Sequence, residues 1–259
     1  MRLNSENYIM DHSFDNALHR GRLRVYHVVM KPYHSLLARA ARNSSSILYI
    51  YGITKFLDTV ALILHCEFPH GPKSFMKFIN TLKSSPKVKN LSIIEKKSNT
   101  CLLYLEKERC EFYDYTMSEG RIIFFPYLIN PGGRRFYIMI NDAIDNLKEI
   151  LSKYGHLLEV QRTDLSDAIL YTGKLMIRSE LSAILTPMQK KVLMEAINKG
   201  FFEWPRRAKL EDLSRSLNIS KATISEHIRK AEQKVMELLS DNFQIQTRKE
   251  KLSYLAKRE

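Results

Sequence analysis

The chain has 259 residues, 44% of them apolar, which is ample for two cores and fits two domains better than one. Its formal net charge of +13 is the kind of balance a polyanionic partner accounts for. No signal-peptide pattern is present, and the most apolar window, 47–68, is interrupted by Lys55 and Asp58 and falls short of a membrane span. Three cysteines with no CxxC spacing argue for reduced thiols, so an intracellular, cytoplasmic protein with no membrane partner is expected.

In chain order, 23–30, 46–53 and 59–68 read as strands. The segment 74–84 reads as an amphipathic helix with Phe75, Phe78, Ile79 and Leu82 on one face, and 88–94 and 101–105 read as two more strands. Further on, 122–128 and 135–140 are strands around Asn130-Pro131-Gly132-Gly133. Asn141 then caps a helix that turns Ile144, Leu147, Ile150 and Leu151 inward, and 157–161 returns as a strand. The alternation suggests a split β-α-β arrangement made twice. The fold class expected is therefore α+β: a tandem ferredoxin-like or ACT-like domain over 20–165, a helical linker over 166–184, and an all-α domain over 185–259.

In that last domain Thr186, Pro187 and Gln189 form a capping-box pattern that starts a helix over 187–199, with Val192, Leu193, Ala196 and Ile197 on one face and Gly200 closing it. Leu210, Leu213 and Leu217 mark a shorter helix ending at Asn218, a residue tolerant of positive φ. Ser220 caps a third helix, about 221–239, whose apolar stripe runs through Ile224, Ile228, Ala231, Val235 and Leu238. If that stripe packs on Leu213 and Leu217, then Lys221, Ala222, Ser225, Glu226 and Arg229 point outward from its first turns, as in a helix that enters the major groove by its N-terminal end. Arg229 or Lys221 suits guanine O6 and N7, Glu226 a cytosine amine, and Ala222 or Thr223 a thymine methyl. Ser220 and Lys230 border the same turns, while Arg206, Arg207 and Lys209, in the loop before the second helix, are the phosphate candidates. His227 falls at the inner edge of the stripe, which suits packing better than contact. The tail after Asp241 either extends the helix or stays loose, with Phe243, Leu252 and Leu255 marking a short packed segment.

The segment resembles the C-terminal helix-turn-helix of the bacterio-opsin-activator-like archaeal transcription regulators. The resemblance is carried by Leu185, Thr186 and Gln189, then by the run Gly200-Phe201-Phe202-Glu203-Trp204-Pro205-Arg206, then by Ser220, Thr223, Ser225 and Glu226. Ser214 stands where Ala is usual and Asn218 where Gly is usual. More distantly, the same helices resemble region four of bacterial sigma factors and the response-regulator type of DNA-binding domain. The resemblance implies a sequence-specific regulator that binds double-stranded DNA as a homodimer, with an N-terminal domain that senses a small-molecule effector or holds the subunits together. An adaptor contacting the basal transcription machinery, and a ligand-binding protein with non-specific nucleic-acid affinity, stay open beside it.

The excess of positive charge is not confined to the DNA reader: residues 186–259 hold 16 Lys and Arg against 10 Asp and Glu. In the N-terminal domain Cys110, Tyr113 and Tyr115 are candidates for an effector pocket, against a reading as core aromatics with a buried thiol. The run Pro131-Gly132-Gly133-Arg134-Arg135 suits either an anion cradle or, more simply, a hairpin turn. His65, Cys66 and His70 form one loose trio, short of the four convergent ligands zinc wants. No oriented nucleophile pair and no phosphate-binding glycine pattern is visible, so neither catalysis, a metal nor a cofactor is expected.

Overall fold

The structure, a computed structural model, describes residues 23–255, with side chains over 23–240. The chain runs β1 (Arg24–Pro32), α1 (Leu36–Ser44), β2 (Ile47–Lys55), β3 (Thr59–Glu67), α2 (Pro72–Lys83), β4 (Val88–Lys96), β5 (Thr100–Glu108), α3 (Glu111–Thr116), β6 (Ile122–Ile123), β7 (Tyr127–Asn130), β8 (Gly133–Ile140), α4 (Ile144–Ser152) and β9 (Gly155–Thr163). Four helices follow: α5 (Leu165–Ile184), α6 (Pro187–Asn198), α7 (Leu210–Leu217) and α8 (Lys221–Leu255). The chain is α+β, and its contacts divide it into two compact units between Ile177 and Arg178, inside α5.

In the first unit the strands form one antiparallel sheet in the order β4-β5-β3-β2-β7-β8-β1-β9, with the short β6 also on β8. The order of elements is strand-helix-strand-strand-helix-strand twice over, β1 to β4 and then β5 to β9, leaving β6 aside. Pairing does not respect that division. β1 lies between β8 and β9, where Val28 faces Phe136 and Val160, and β5 lies between β3 and β4, where Leu103 faces Leu64 and Ile93. Each repeat has thus given its first strand to the other, and β2 and β7 join the halves, Leu48 facing Ile129. The expected tandem arrangement rested on element order alone and said nothing of which strands pair across the repeats. Alternating side chains decide which face of a strand is buried but carry little information about which neighbour it takes.

Alternation puts Val28, Met30, Leu48, Ile50, Leu62, Leu64, Leu103, Phe136 and Ile138 on one face, where α1 to α4 cover them with Leu37, Ala41, Phe78, Phe112 and Leu147. The opposite face is covered by the start of α5, Ala168 against Val25 and Met139, and Leu175 against Tyr49 and Leu128. The stretch expected as a linker is therefore in part a packing element of the sheet. The hairpin reading of the glycine run holds: Gly132 N–H donates to Asn130 Oδ1 at 2.9 Å. Gly133, at φ 136°, has no room for a side chain, since a Cβ would stand 2.3 Å from the Met30 carbonyl oxygen.

Two helices were absent from the expected elements. α1 is capped by Ser35 Oγ, which accepts from Ala38 N–H at 3.3 Å, and closed by Ser45 at φ 55°. α3 occupies the aromatic cluster. Asn141 is not the cap of α4, which begins after Ala143, without a side-chain cap bond.

Candidate nucleic-acid interface

The second unit is built around Val192, Ala196, Phe201, Leu213, Ile224 and Ile228, with Leu210, Leu217 and Ile219 packed against them. Thr186 starts α6 as expected: Gln189 N–H donates to Thr186 Oγ1 at 3.2 Å, and Gln189 Oε1 accepts from Thr186 N–H at 2.9 Å. Ile197, expected on the inner face, is exposed instead, because the core is closed there by Phe201 folding back after Gly200, φ 73°. The Phe201 N–H donates to the Ala196 carbonyl at 2.9 Å, and the Gly200 N–H to that of Ile197 at 3.0 Å.

At the start of α7, Asp212 Oδ2 accepts from Lys209 N–H at 2.8 Å. The helix ends at Asn218 in the left-handed region, φ 53° and ψ 46°. Ser214 has a use in the turn: its hydroxyl donates to the Ile219 carbonyl at 2.6 Å. Ser220 then starts α8, its Oγ accepting from Thr223 N–H at 3.1 Å. Lys234, which sequence reasoning missed, reaches back with Nζ to the Ile184 carbonyl (2.8 Å) and Gln189 Oε1 (3.1 Å), tying α8 to the start of α6.

With Ile224, Ile228 and Ala231 turned inward, Ser220, Lys221, Ala222, Thr223, Ser225, Glu226, Arg229 and Lys230 are all exposed, as are Arg206, Arg207 and Lys209. His227 is half-buried at the edge of the stripe. Several of the charges are partnered within the unit. Lys221 pairs with Glu211 at 2.7 Å, Glu226 with Lys230 at 2.5 Å, and Arg207 with Glu203. Hydrogen bonds from these cations draw the Glu211, Glu226 and Glu203 carboxyls below their ordinary pKa. Among the described residues Arg229 and Arg206 have no ion pair; Arg206 lies over the Phe201 ring at 4.7 Å. Trp204, the single tryptophan of the chain, is 96% exposed in the same loop. Its size and rarity were the signal available in the sequence.

The effector candidates of the first unit separate. Cys110 is exposed at the start of α3. Tyr113 is buried, its hydroxyl 3.2 Å from that of Tyr127, and desolvation pushes its pKa well up. Tyr115 is partly buried under Arg121, at 4.2 Å. Tyr113 is thus buried and Tyr115 partly buried, while the Cys110 thiol is exposed; Cys110 and Tyr113 line one cavity, and Tyr115 is not among its lining residues. Of the loose histidine-cysteine trio, Cys66 belongs to the buried core opposite Cys101, while His65 belongs to the other face of the strand. Among the described residues no group of three or more His, Cys, Asp or Glu stands close enough to hold a metal, and no helix is long and apolar enough to cross a membrane.

The HTH DNA binding domain family matches residues 185–237, the stretch from the last turn before α6 into α8. A putative transcriptional regulator of Haloferax volcanii is 42% identical over 64 residues, and the bacterioopsin transcriptional activator of Halobacterium salinarum 41% over 59. The transcriptional regulator NarO of Haloferax volcanii is 30% identical over 102 residues. These alignments cover 25%, 23% and 39% of this chain, and 11%, 9% and 44% of the relatives. No solved structure matches. Residues 185–237 thus match a helix-turn-helix DNA-binding domain, and this C-terminal part of the chain is similar to segments of the bacterioopsin transcriptional activator and of haloarchaeal transcription regulators.

Proposed function

We propose that this protein is a sequence-specific transcription regulator that reads the major groove of duplex DNA with the first turns of α8. The observation that carries the reading is the exposure of Ala222, Ser225 and Arg229 on a helix whose opposite side is sealed by Ile224 and Ile228. Short side chains at a helix N-terminus let the backbone approach base edges, and Arg229, which makes no ion pair among the described residues, has its fork available for guanine. Arg206, Lys209 and Ser220 are assigned to phosphates; Lys221 and Arg207 reach them only by releasing Glu211 and Glu203.

One recognition helix reads only a few base pairs, so two subunits are invoked. α8 supports this reading. It runs 35 residues, well past the packed unit, and places Val235, Leu238, Asn242, Ile245, Lys249 and Leu252 at alternating steps of three and four. That repeat, with polar residues at two of the positions, is the pattern of a parallel two-stranded coiled coil. In the first unit we read each four-strand half of the sheet as a ferredoxin-like unit completed by the other repeat's first strand, serving effector sensing. Selection from a random duplex pool with the full chain tests the whole reading: enrichment of a two-fold motif is expected. The exposure of Trp204 and Phe202 favours a second reading, an adaptor that contacts transcription machinery through this loop, and recovery of no motif would turn the assignment to it.

A further inference from the structure

Two cations lie deep in the first unit and make no ion pair among the described residues. Arg134, at the start of β8, is 3% exposed, and Lys107, near the end of β5, 7%. The Arg134 guanidinium sits 3.8 Å over the Phe112 ring and donates from Nη2 to Ser35 Oγ at 3.3 Å, while its Nε is buried with no acceptor. Lys107 Nζ donates to the Glu108 carbonyl at 2.7 Å, and burial lowers its pKa. Of the nearby carboxylates, Glu108 is paired with Lys89 at 3.0 Å and Asp114 with Arg109 at 2.9 Å, which leaves Glu111 as one acidic group facing five basic side chains around the cavity, Lys87, Lys107, Arg109, Arg134 and Lys153. A buried charge left without a counter-charge is costly, and a binding partner that supplies one removes the cost.

Both residues line a cavity of 450 Å³, within the size range of small-ligand sites. Its rim carries His34, Lys87, Arg109 and Lys153, with Glu108 and Glu111 as the acidic members. The first turn of α1, a nine-residue helix, opens on it at Ser35 and Leu36, adding backbone amides and the positive end of a helix dipole. The place also has topological meaning. It lies where the two exchanged strands leave the sheet, β1 toward α1 and β5 toward α3.

We infer that this cavity binds a small organic anion, a carboxylate or phosphate joined to a flat apolar group. Its charged end lies against Arg134, Lys107 and the start of α1, and its apolar part against Phe112 and Tyr154. This rests on the reading of the first unit as a sensor and names the chemical class it senses. A ligand there touches the strand-to-helix turns of both repeats at once, so it biases how the two halves of the sheet sit together.

Cys110 lines the cavity and is exposed, whereas Cys66 and Cys101 are buried, so one thiol reports on occupancy. The experiment follows alkylation of Cys110 by iodoacetamide in the full chain, with phenyl phosphate, phenylacetate, inorganic phosphate or sodium chloride at matched ionic strength. A saturable, severalfold slowing by phenyl phosphate or phenylacetate, weaker by inorganic phosphate and absent with chloride, is expected. Arg134→Met should abolish it. Because that variant risks the fold, Lys153→Ala at the rim is the second test and should shift half-protection to severalfold higher concentration. An unchanged rate with all three anions at tens of millimolar overturns the proposal, as does equal protection by chloride or protection by duplex DNA alone. DNA affinity of the full chain, measured with and without phenyl phosphate, separates the site from the sensing role: protection of Cys110 with no change in DNA affinity upholds the site and discards the sensing.

Discussion

Arg229 and Arg206 are both exposed arginines that make no ion pair among the described residues, yet one stands on α8 and the other in the loop before α7, and substitution should separate their proposed roles. With Arg229 assigned to a base edge as proposed, Arg229→Ala should lower discrimination at one position of the site by about 1–3 kcal/mol while other positions keep their preference. With Arg206 assigned to a phosphate as proposed, Arg206→Ala should weaken every sequence alike and lower the slope of log affinity against log salt by about one unit. Competition binding at several salt concentrations reads both, and the reverse pattern would mean that the contact assignments are inverted. These positions were legible because helical spacing alone separates Ile224 and Ile228 from Ser225 and Arg229. The ion pairs of Lys221 with Glu211 and Arg207 with Glu203 were not, because Lys221 and Glu211 are joined by folding α7 against α8 and the loop around Glu203 has no period to follow. Lys107 offers a pH test at the same scale. Its depressed pKa means that the unfolded chain holds this proton more firmly, so stability rises as pH climbs from the lowered value toward the ordinary one near ~10.4. Lys107→Met should flatten that alkaline rise in urea denaturation, and an unaltered slope would show that the amine is not desolvated.

Among the elements, caps mark where local sequence is decisive. Thr186 and Gln189 form their box, and Asn218 takes the left-handed turn that its side chain tolerates. Losing the Ser220 cap in Ser220→Ala should cost α8 about 1 kcal/mol, read in the denaturation midpoint, whereas Leu213→Ala, which empties the centre of the three-helix core, should cost about 2–5 kcal/mol. Equal effects would mean that the core is looser than its burial indicates. α1 was passed over although Ser35 and Ala38 carry its start and Leu37, Ala40 and Ala41 its buried face. The helix is only nine residues long and its buried face is made largely of alanines, so little bulk marks it as a core element, and Ser45 in place of Gly hides the stop. α5 was legible as a helix but not as a cover for the sheet, because its inner face is short and uneven: Ala168 and Leu175 are buried while Leu170 is 61% exposed.

At the scale of the molecule, the main strands and the helices α2 and α4 could be read from the sequence, whereas α1 and α3 were passed over and the exchange of β1 and β5 was out of reach, since any of these strands would present an apolar face to the same helices. The exchange makes neither repeat complete alone. Residues 23–98 produced without the rest should stay unfolded, while a chain cut by a protease at a site inserted in the loop between β4 and β5 should remain a single species on gel filtration. Independent folding of that fragment would argue against exchange. The central claim is that the outward turns of α8 choose among DNA sequences, and selection from a random duplex pool, repeated with wild-type protein and Arg229→Ala, tests it most directly. The account predicts a palindromic motif for the wild type with degeneracy at one position of each half-site in the variant; recovery of no motif, or of an identical motif from both proteins, would contradict it.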